Sequence, residues 1–228
     1  MFKADGQHLI AACLNLALPG MGYSILGKLV YAVMAQTALF IIISIFCLTE
    51  WIYNQNGIIT LIALVCCIHI STGIHAFIID ETDTNKKFTS AVFFILITLV
   101  ILIYKTNRND FFGLEVFYVP SMSMYPTIKP GQFILANSNA YIHRFPNTGD
   151  IIVFTQNKNT LIKRVASIPE KQDTDSNGIY VLGDYSVASI DSRQFGLIEH
   201  QQVLAQARLT LLTFDPSYNI QLEFTPLK

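Results

Sequence analysis

The sequence predicts a protein in two parts, a multi-pass α-helical membrane anchor over residues 1–110 followed by an all-β domain over residues 111–228. Three observations carry this. The 228-residue chain is 52% hydrophobic and only 14% charged, with a mean hydropathy of +0.43, which is too apolar for an ordinary soluble domain. The apolar runs are concentrated in the first half. From Phe111 onward the pattern changes to short runs with period two, broken by turn residues.

Three segments are candidates to cross a bilayer, for which a helix needs roughly 20 apolar residues: about 29–48, 58–79 and 89–104, the last short but able to extend by a residue or two at each end. Residues 9–26 are apolar too, but Pro19-Gly20, Gly22 and Gly27 break the run. That stretch reads as an interfacial or re-entrant element, with a fourth span as the alternative, and Leu18-Pro19-Gly20-Met21-Gly22-Tyr23 as a tight turn within it. The loop over 80–88 carries Lys86 and Lys87, whereas the loop over 50–57 has no Lys or Arg, and Lys3 and Lys28 flank the first segment. Lysine-rich loops stay inside. The N-terminus is therefore expected in the cytoplasm and the β domain on the extracytoplasmic side of the cytoplasmic membrane, although Lys105 and Arg108 weigh the other way. The apolar N-terminal stretch leads into more membrane sequence without a small-x-small site, so a cleavable leader is not expected.

The totals also exclude function classes. A net charge of -1 offers no basic patch to a nucleic acid. Cys13, Cys47, Cys66 and Cys67 all lie in apolar segments, as free buried thiols rather than a disulfide framework. Cys66, Cys67, His69 and His75 do not converge on one helical face and have no carboxylate beside them, so no metal site is expected.

The chemistry lies in the second half. Pro120-Ser121-Met122-Ser123-Met124-Tyr125-Pro126-Thr127 sets two hydroxyls one residue apart before a proline. Gly149-Asp150 opens a strand over 151–155, Asn157-Lys158-Asn159 makes a turn, and 161–167 return as a strand. In the returning strand Lys163 shares a face with Leu161 and Val165, while Ile162 and Arg164 point the other way. An amine between two aliphatic side chains loses hydration, which disfavours its charge. A serine hydroxyl attacking an amide needs a base, and a lysine serves only when neutral. The pairing suits a peptidase working at a membrane surface; a lysine snorkelling from a strand edge would explain Lys163 alone. Between Gly183 and Gly196 lie three serines, two carboxylates and Arg193. Asp191 and Arg193 are two residues apart, so they pair only across a bend. A surface turn with a weak salt bridge is the simpler account of that stretch taken alone.

Residues 117–196 resemble the type I signal peptidases, membrane-bound Ser/Lys endopeptidases. Four blocks match in order: 120–127, 149–154 (Gly-Asp-Ile-Ile-Val-Phe), 163–169 (Lys-Arg-Val-Ala-Ser-Ile-Pro) and 183–196. The resemblance implies a signal-peptidase-like β-fold. It places Ser123 as nucleophile, Lys163 as general base, and Ser121 with the backbone N–H of Ser123 at the oxyanion. It places Ser189 where it orients the lysine amine, and Asp191 and Arg193 as a supporting ion pair. Phe117, Val119, Met124, Leu161 and Ile162 would line shallow pockets for small side chains. The implied substrates are the signal peptides of exported preproteins, cleaved after a small-x-small site, with neither metal nor cofactor; a monomer suffices. The chain departs from the family pattern at Gly131-Gln132, at Glu170-Lys171 and at Tyr185, where Gly-Asp, Gly-Asp and Asn are usual. The short interval from Lys163 to Gly183 leaves no room for the second β-domain of larger members. Two other readings stand beside this one: a maturation peptidase dedicated to one pilin-like or conjugation substrate, and a non-catalytic membrane protein that binds peptides.

Overall fold

The structure is a computed structural model describing residues 6–80, 88, 92–93, 95–97, 99–100, 103, 112–168, 178–214 and 220–227. The chain divides into two compact units. One comprises 1–52 and 56–107, the other 53–55 and 108–228.

The first unit is helical. Helix α1 (Gly6–Ala17) stops at Leu18-Pro19-Gly20, where proline removes a backbone donor and Gly20 takes φ 100, and α2 (Met21–Ile25) follows. The buried Asn15 closes this break. Its Oδ1 accepts from the backbone N–H groups of Gly20 (3.0 Å) and Gly22 (2.7 Å), which a helix start leaves unsatisfied, and its Nδ2 donates to the Thr72 carbonyl at 3.0 Å. Gly22 lies against the Ala11 carbonyl, 1.9 Å from where a Cβ would sit, so only glycine fits. Helices α3 (Leu29–Leu48) and α4 (Gln55–Ile78) have mean hydropathies of 2.3 and 2.2 and are long enough to cross a membrane. Both are apolar all round and leave Val30, Met34, Ile41, Ile45, Ile59, Ile70 and Ile74 exposed. Ser44, Thr60 and Thr72 return their hydroxyl protons to the carbonyl four residues earlier, so these hydroxyls are satisfied within their own helices. Half of the expected span over 89–104 lies outside the described residues, and its described residues are helical.

The second unit is an all-antiparallel sheet of seven strands: β1 (Leu114–Val119), β2 (Gln132–Asn137), β3 (Ile151–Gln156), β4 (Asn159–Ser167), β5 (Tyr180–Leu182), β6 (Val203–Phe214) and β7 (Ile220–Pro226). The order is β1-β2-β6-β3-β4-β5, with β7 also on β6. The long β6 organises the sheet. It pairs β2 along one side, and β3 then β7 along the other. The unbroken apolar run Ile151-Ile152-Val153-Phe154 becomes a strand covered on both faces. Ile151 and Val153 join Val119, Met124, Ile128, Ile134 and Ala205 on one face. Ile152 and Phe154 join Val165, Ile179, Val181 and Ile198 on the other. The hairpin after β3 turns on two residues, Asn157 and Lys158, both with positive φ, and Gln156 pairs with Asn159. Strand β4 thus starts two residues earlier than the sequence reading, because a two-residue turn of this hand matches the strand twist.

Residues 53–55 belong to this unit although α3 and α4 flank them in the chain. Tyr53 is buried. Its hydroxyl donates to the Gly113 carbonyl at 2.9 Å, and its ring lies 5.5 Å from the Arg208 guanidinium.

Phe154 has no exposed surface. Phe154→Ala should destabilise the β unit by about 3–5 kcal/mol through lost burial and the cavity left behind. Urea unfolding of the full chain in detergent, followed by the β-sheet circular dichroism, measures this.

Candidate active site

Antiparallel pairing of β3 with β4 sets Lys163 directly opposite Ile152. Residues opposite each other share a face, and so do alternate residues of one strand, so Lys163 emerges among Ile152, Leu161 and Val165. Its side chain is 3% exposed. The loop after β1 brings Ser123 to it. Turn bonds from Tyr125 N–H to the Met122 carbonyl (3.0 Å) and from Ile128 N–H to the Met124 carbonyl (2.9 Å) coil this loop. Met124 anchors it, fully buried in the core. Lys163 Nζ lies 2.7 Å from Ser123 Oγ and donates to the Ile162 carbonyl at 2.9 Å. Ser123 is itself buried, and Ser121 Oγ stands 3.2 Å from its hydroxyl.

Burial pushes the Lys163 amine below the ordinary lysine range, even though the charges of Asp191 and Asp184 pull it upward. Each carboxylate already has an arginine. Arg193 grips Asp191 through Nε (2.8 Å) and Nη2 (2.7 Å), and Arg164 grips Asp184 in the same two-pronged way at 2.9 and 2.8 Å. Burial would raise the Asp191 carboxyl. Arg193, the Gly183 N–H and the Ser189 hydroxyl together hold it well below the usual carboxylate range.

The bend that the Asp191–Arg193 pair needs is a helix start. Asp191 caps the short α5 (Ser192–Phe195): its Oδ1 accepts from the Arg193 N–H at 3.3 Å, while Gln194 Oε1 accepts from the Asp191 N–H at 2.8 Å. Ser189 differs from the expectation. Its hydroxyl donates to Asp191 Oδ2 at 2.6 Å, and no hydrogen bond joins it to Lys163 among the described residues. A buried carboxylate is a stronger acceptor than an amine, so it takes this proton.

The expected pocket residues divide between the two faces. Val119 and Met124 are buried in one cluster, with Phe117 and Ile162 packed against it. Leu161 packs against the opposite cluster, because neighbouring residues of a strand face opposite ways.

Two further features surround the dyad and are not legible in the sequence. Arg164, Asp184 and Thr127 form one polar knot: the Thr127 hydroxyl donates to Asp184 Oδ2 at 2.5 Å, and Arg164 Nη1 donates to the Gly149 carbonyl at 2.9 Å. The knot ties all four sequence blocks together. Its signal in the sequence is faint, since Thr127, Arg164 and Asp184 are among several polar residues of these blocks that carry no assigned role. The second feature is Gly183. Its N–H donates to Asp191 Oδ2 at 3.0 Å, and a Cβ on it would sit 2.1 Å from Ser189 Oγ and 2.6 Å from the Ser123 carbonyl oxygen. The next backbone contact, Tyr185 N–H to the Ser123 carbonyl at 3.0 Å, locks this loop to the serine.

Residues 87–172 match the family described as signal peptidase, peptidase S26. The matched stretch contains Ser121, Ser123 and Lys163 and stops before Gly183. No curated protein matches the chain.

Gly183→Ala should force the Ser189 side chain and the Ser123 backbone apart. Overpacking of this kind costs about 1–3 kcal/mol. A lowered urea midpoint with an unchanged m-value is the expected result.

Proposed function

We propose that this chain, which matches the signal peptidase, peptidase S26 family over residues 87–172, is a membrane-bound serine endopeptidase that removes signal peptides from exported preproteins. The observation that carries the reading is the 2.7 Å approach of a buried lysine amine to a buried serine hydroxyl. An uncharged amine at that distance has one evident use, to take the hydroxyl proton.

Substrate binds extended along the edge of β1, which among the described strands is paired with β2 alone. Neutral Lys163 accepts the proton of Ser123 as Oγ attacks the scissile carbonyl carbon. The oxyanion that forms is held by the Ser121 hydroxyl and the Ser123 backbone N–H. Collapse of the tetrahedral species breaks the C–N bond, and the Lys163 ammonium gives its proton to the departing amine of the mature protein. Water, deprotonated by the same amine, then hydrolyses the ester and restores Ser123. Asp191, Arg193 and Ser189 act at one remove, holding the Gly183–Tyr185 loop against the serine. Helices α3 and α4 hold the enzyme in the cytoplasmic membrane, with the β unit on the extracytoplasmic side.

Ser123→Ala and Lys163→Ala should each lower kcat for a preprotein by roughly 10⁴-fold or more without unfolding the protein. Ser121→Ala should cost less, about 10²–10³-fold, because the backbone donor remains. Near-normal turnover by either dyad variant would refute the assignment.

Because Lys163 works only when neutral, kcat/KM should fall as pH drops through its lowered pKa. Val165→Thr puts a hydroxyl beside the amine, favours the ammonium form and raises that pKa. The acidic limb should move to higher pH. A limb that stays or moves down would show that another group titrates.

A further inference from the structure

Two tyrosines border Ser123, and both keep their rings half in water. Tyr125 follows the serine by two residues, beyond the fully buried Met124, and its N–H closes the turn onto the Met122 carbonyl at 3.0 Å. Tyr185 reaches it from the other side of the site, where its N–H donates to the Ser123 carbonyl, also at 3.0 Å. Both bonds belong to the backbone, and any residue but proline could supply them. The rings are therefore free for another use. Tyr125 is 42% exposed and Tyr185 37%. They meet edge to face, with centroids 6.3 Å apart and planes at 81°. The backbone under Tyr185 is held firmly: Asp184 is gripped by Arg164 and Thr127, and Gly183 already lies against the Ser123 carbonyl. Stiff aromatic side chains on fixed supports offer apolar contact area at little cost in conformational entropy.

We propose that Tyr125 and Tyr185 form the wall that receives the first residue after the scissile bond, and that they select an aromatic side chain there. The proposal rests on the peptidase reading above and adds to it a preference on the leaving side of the bond. With the substrate carbonyl carbon at Ser123 Oγ and the residues before it laid along β1, the chain after the bond leaves past the serine, where the two rings border it. An aromatic side chain set against an edge-to-face pair buries its own area and part of both rings, whereas alanine leaves the rings wet. Asparagine, usual at position 185 in the family pattern, has no aromatic face to offer. The contact acts while the C–N bond is still intact and is lost when the amine of the mature protein departs. It therefore bears on formation of the acyl-enzyme, which kcat/KM reports, and not on its hydrolysis.

The test uses the full chain in detergent and two soluble peptides with the same small-x-small cleavage site. They differ only in the residue immediately after the scissile bond, phenylalanine in one and alanine in the other. The wild-type chain should cleave the phenylalanine peptide with a kcat/KM about tenfold higher. Tyr185→Asn should bring the two values to within about twofold of each other, and Tyr185→Phe, which keeps the ring, should preserve the preference. The ratio is read rather than either rate, so a general loss of activity or of folded protein, which moves both peptides alike, does not mimic the effect. If Tyr185→Asn does not fold, Tyr125→Ala is measured in its place, with the same collapse expected. A wild-type chain indifferent to the two peptides overturns the proposal and leaves the dyad assignment standing. So does a preference that survives the loss of the ring, or one that Tyr185→Phe abolishes. A wild-type chain that cleaves neither peptide overturns the peptidase reading, and this one with it.

Discussion

A lysine amine shut away from water beside a serine hydroxyl sets the terms for the rest of the β unit. Lowering the pKa of Lys163 takes an apolar surround and no free negative charge nearby. The sheet supplies the first through register: Ile152 lies opposite, and Leu161 and Val165 lie two positions away along the strand. The second is harder, since Asp184 and Asp191 both act on the amine and both favour its ammonium form. Each carboxylate is gripped by its own arginine through two nitrogens. The pull that remains does not overcome burial, which holds the amine below the ordinary lysine range.

The same two ion pairs do mechanical work. Arg164 reaches from β4 to Asp184 and to the Gly149 carbonyl, and Thr127 joins them from the loop after the serine. Asp191 starts α5 and collects the Gly183 N–H and the Ser189 hydroxyl. Between these knots runs the Gly183–Tyr185 segment, close enough to the serine that residue 183 has no room for a side chain. Four stretches far apart in the chain are thus bound into one rigid surround for Ser123. A two-pronged, charge-assisted pair of this kind fixes geometry whatever its net contribution to stability.

The helical unit follows a parallel logic with different materials. Its helices are apolar on every face, so packing alone gives little direction, and the buried polar side chains supply it. Asn15 meets three backbone groups across the Pro19-Gly20 break, and the Tyr23 hydroxyl meets His75 at 2.8 Å. The glycines that looked like breakers in the sequence are close approaches: Gly22 fits against Ala11 because it has no Cβ.

Local pattern by itself determined the division into an apolar helical half and a β half, the hairpin that carries Lys163, and the face on which the amine lies. Those properties depend on hydrophobic period and turn residues, which neighbours in sequence specify. The paired hydroxyl and amine were legible too, because each sits in a distinctive short block. Tertiary structure alone decided which partner each polar group took. Ser189 serves Asp191 rather than the amine, Arg164 and Asp184 find each other across twenty residues, and Leu161 and Ile162 part to opposite faces. It also carried Tyr53 out of the stretch between α3 and α4 and into the β unit. A hydrogen bond depends on distances of a few tenths of an ångström between groups remote in the chain, and no pattern of residue types specifies those distances until the sheet has closed.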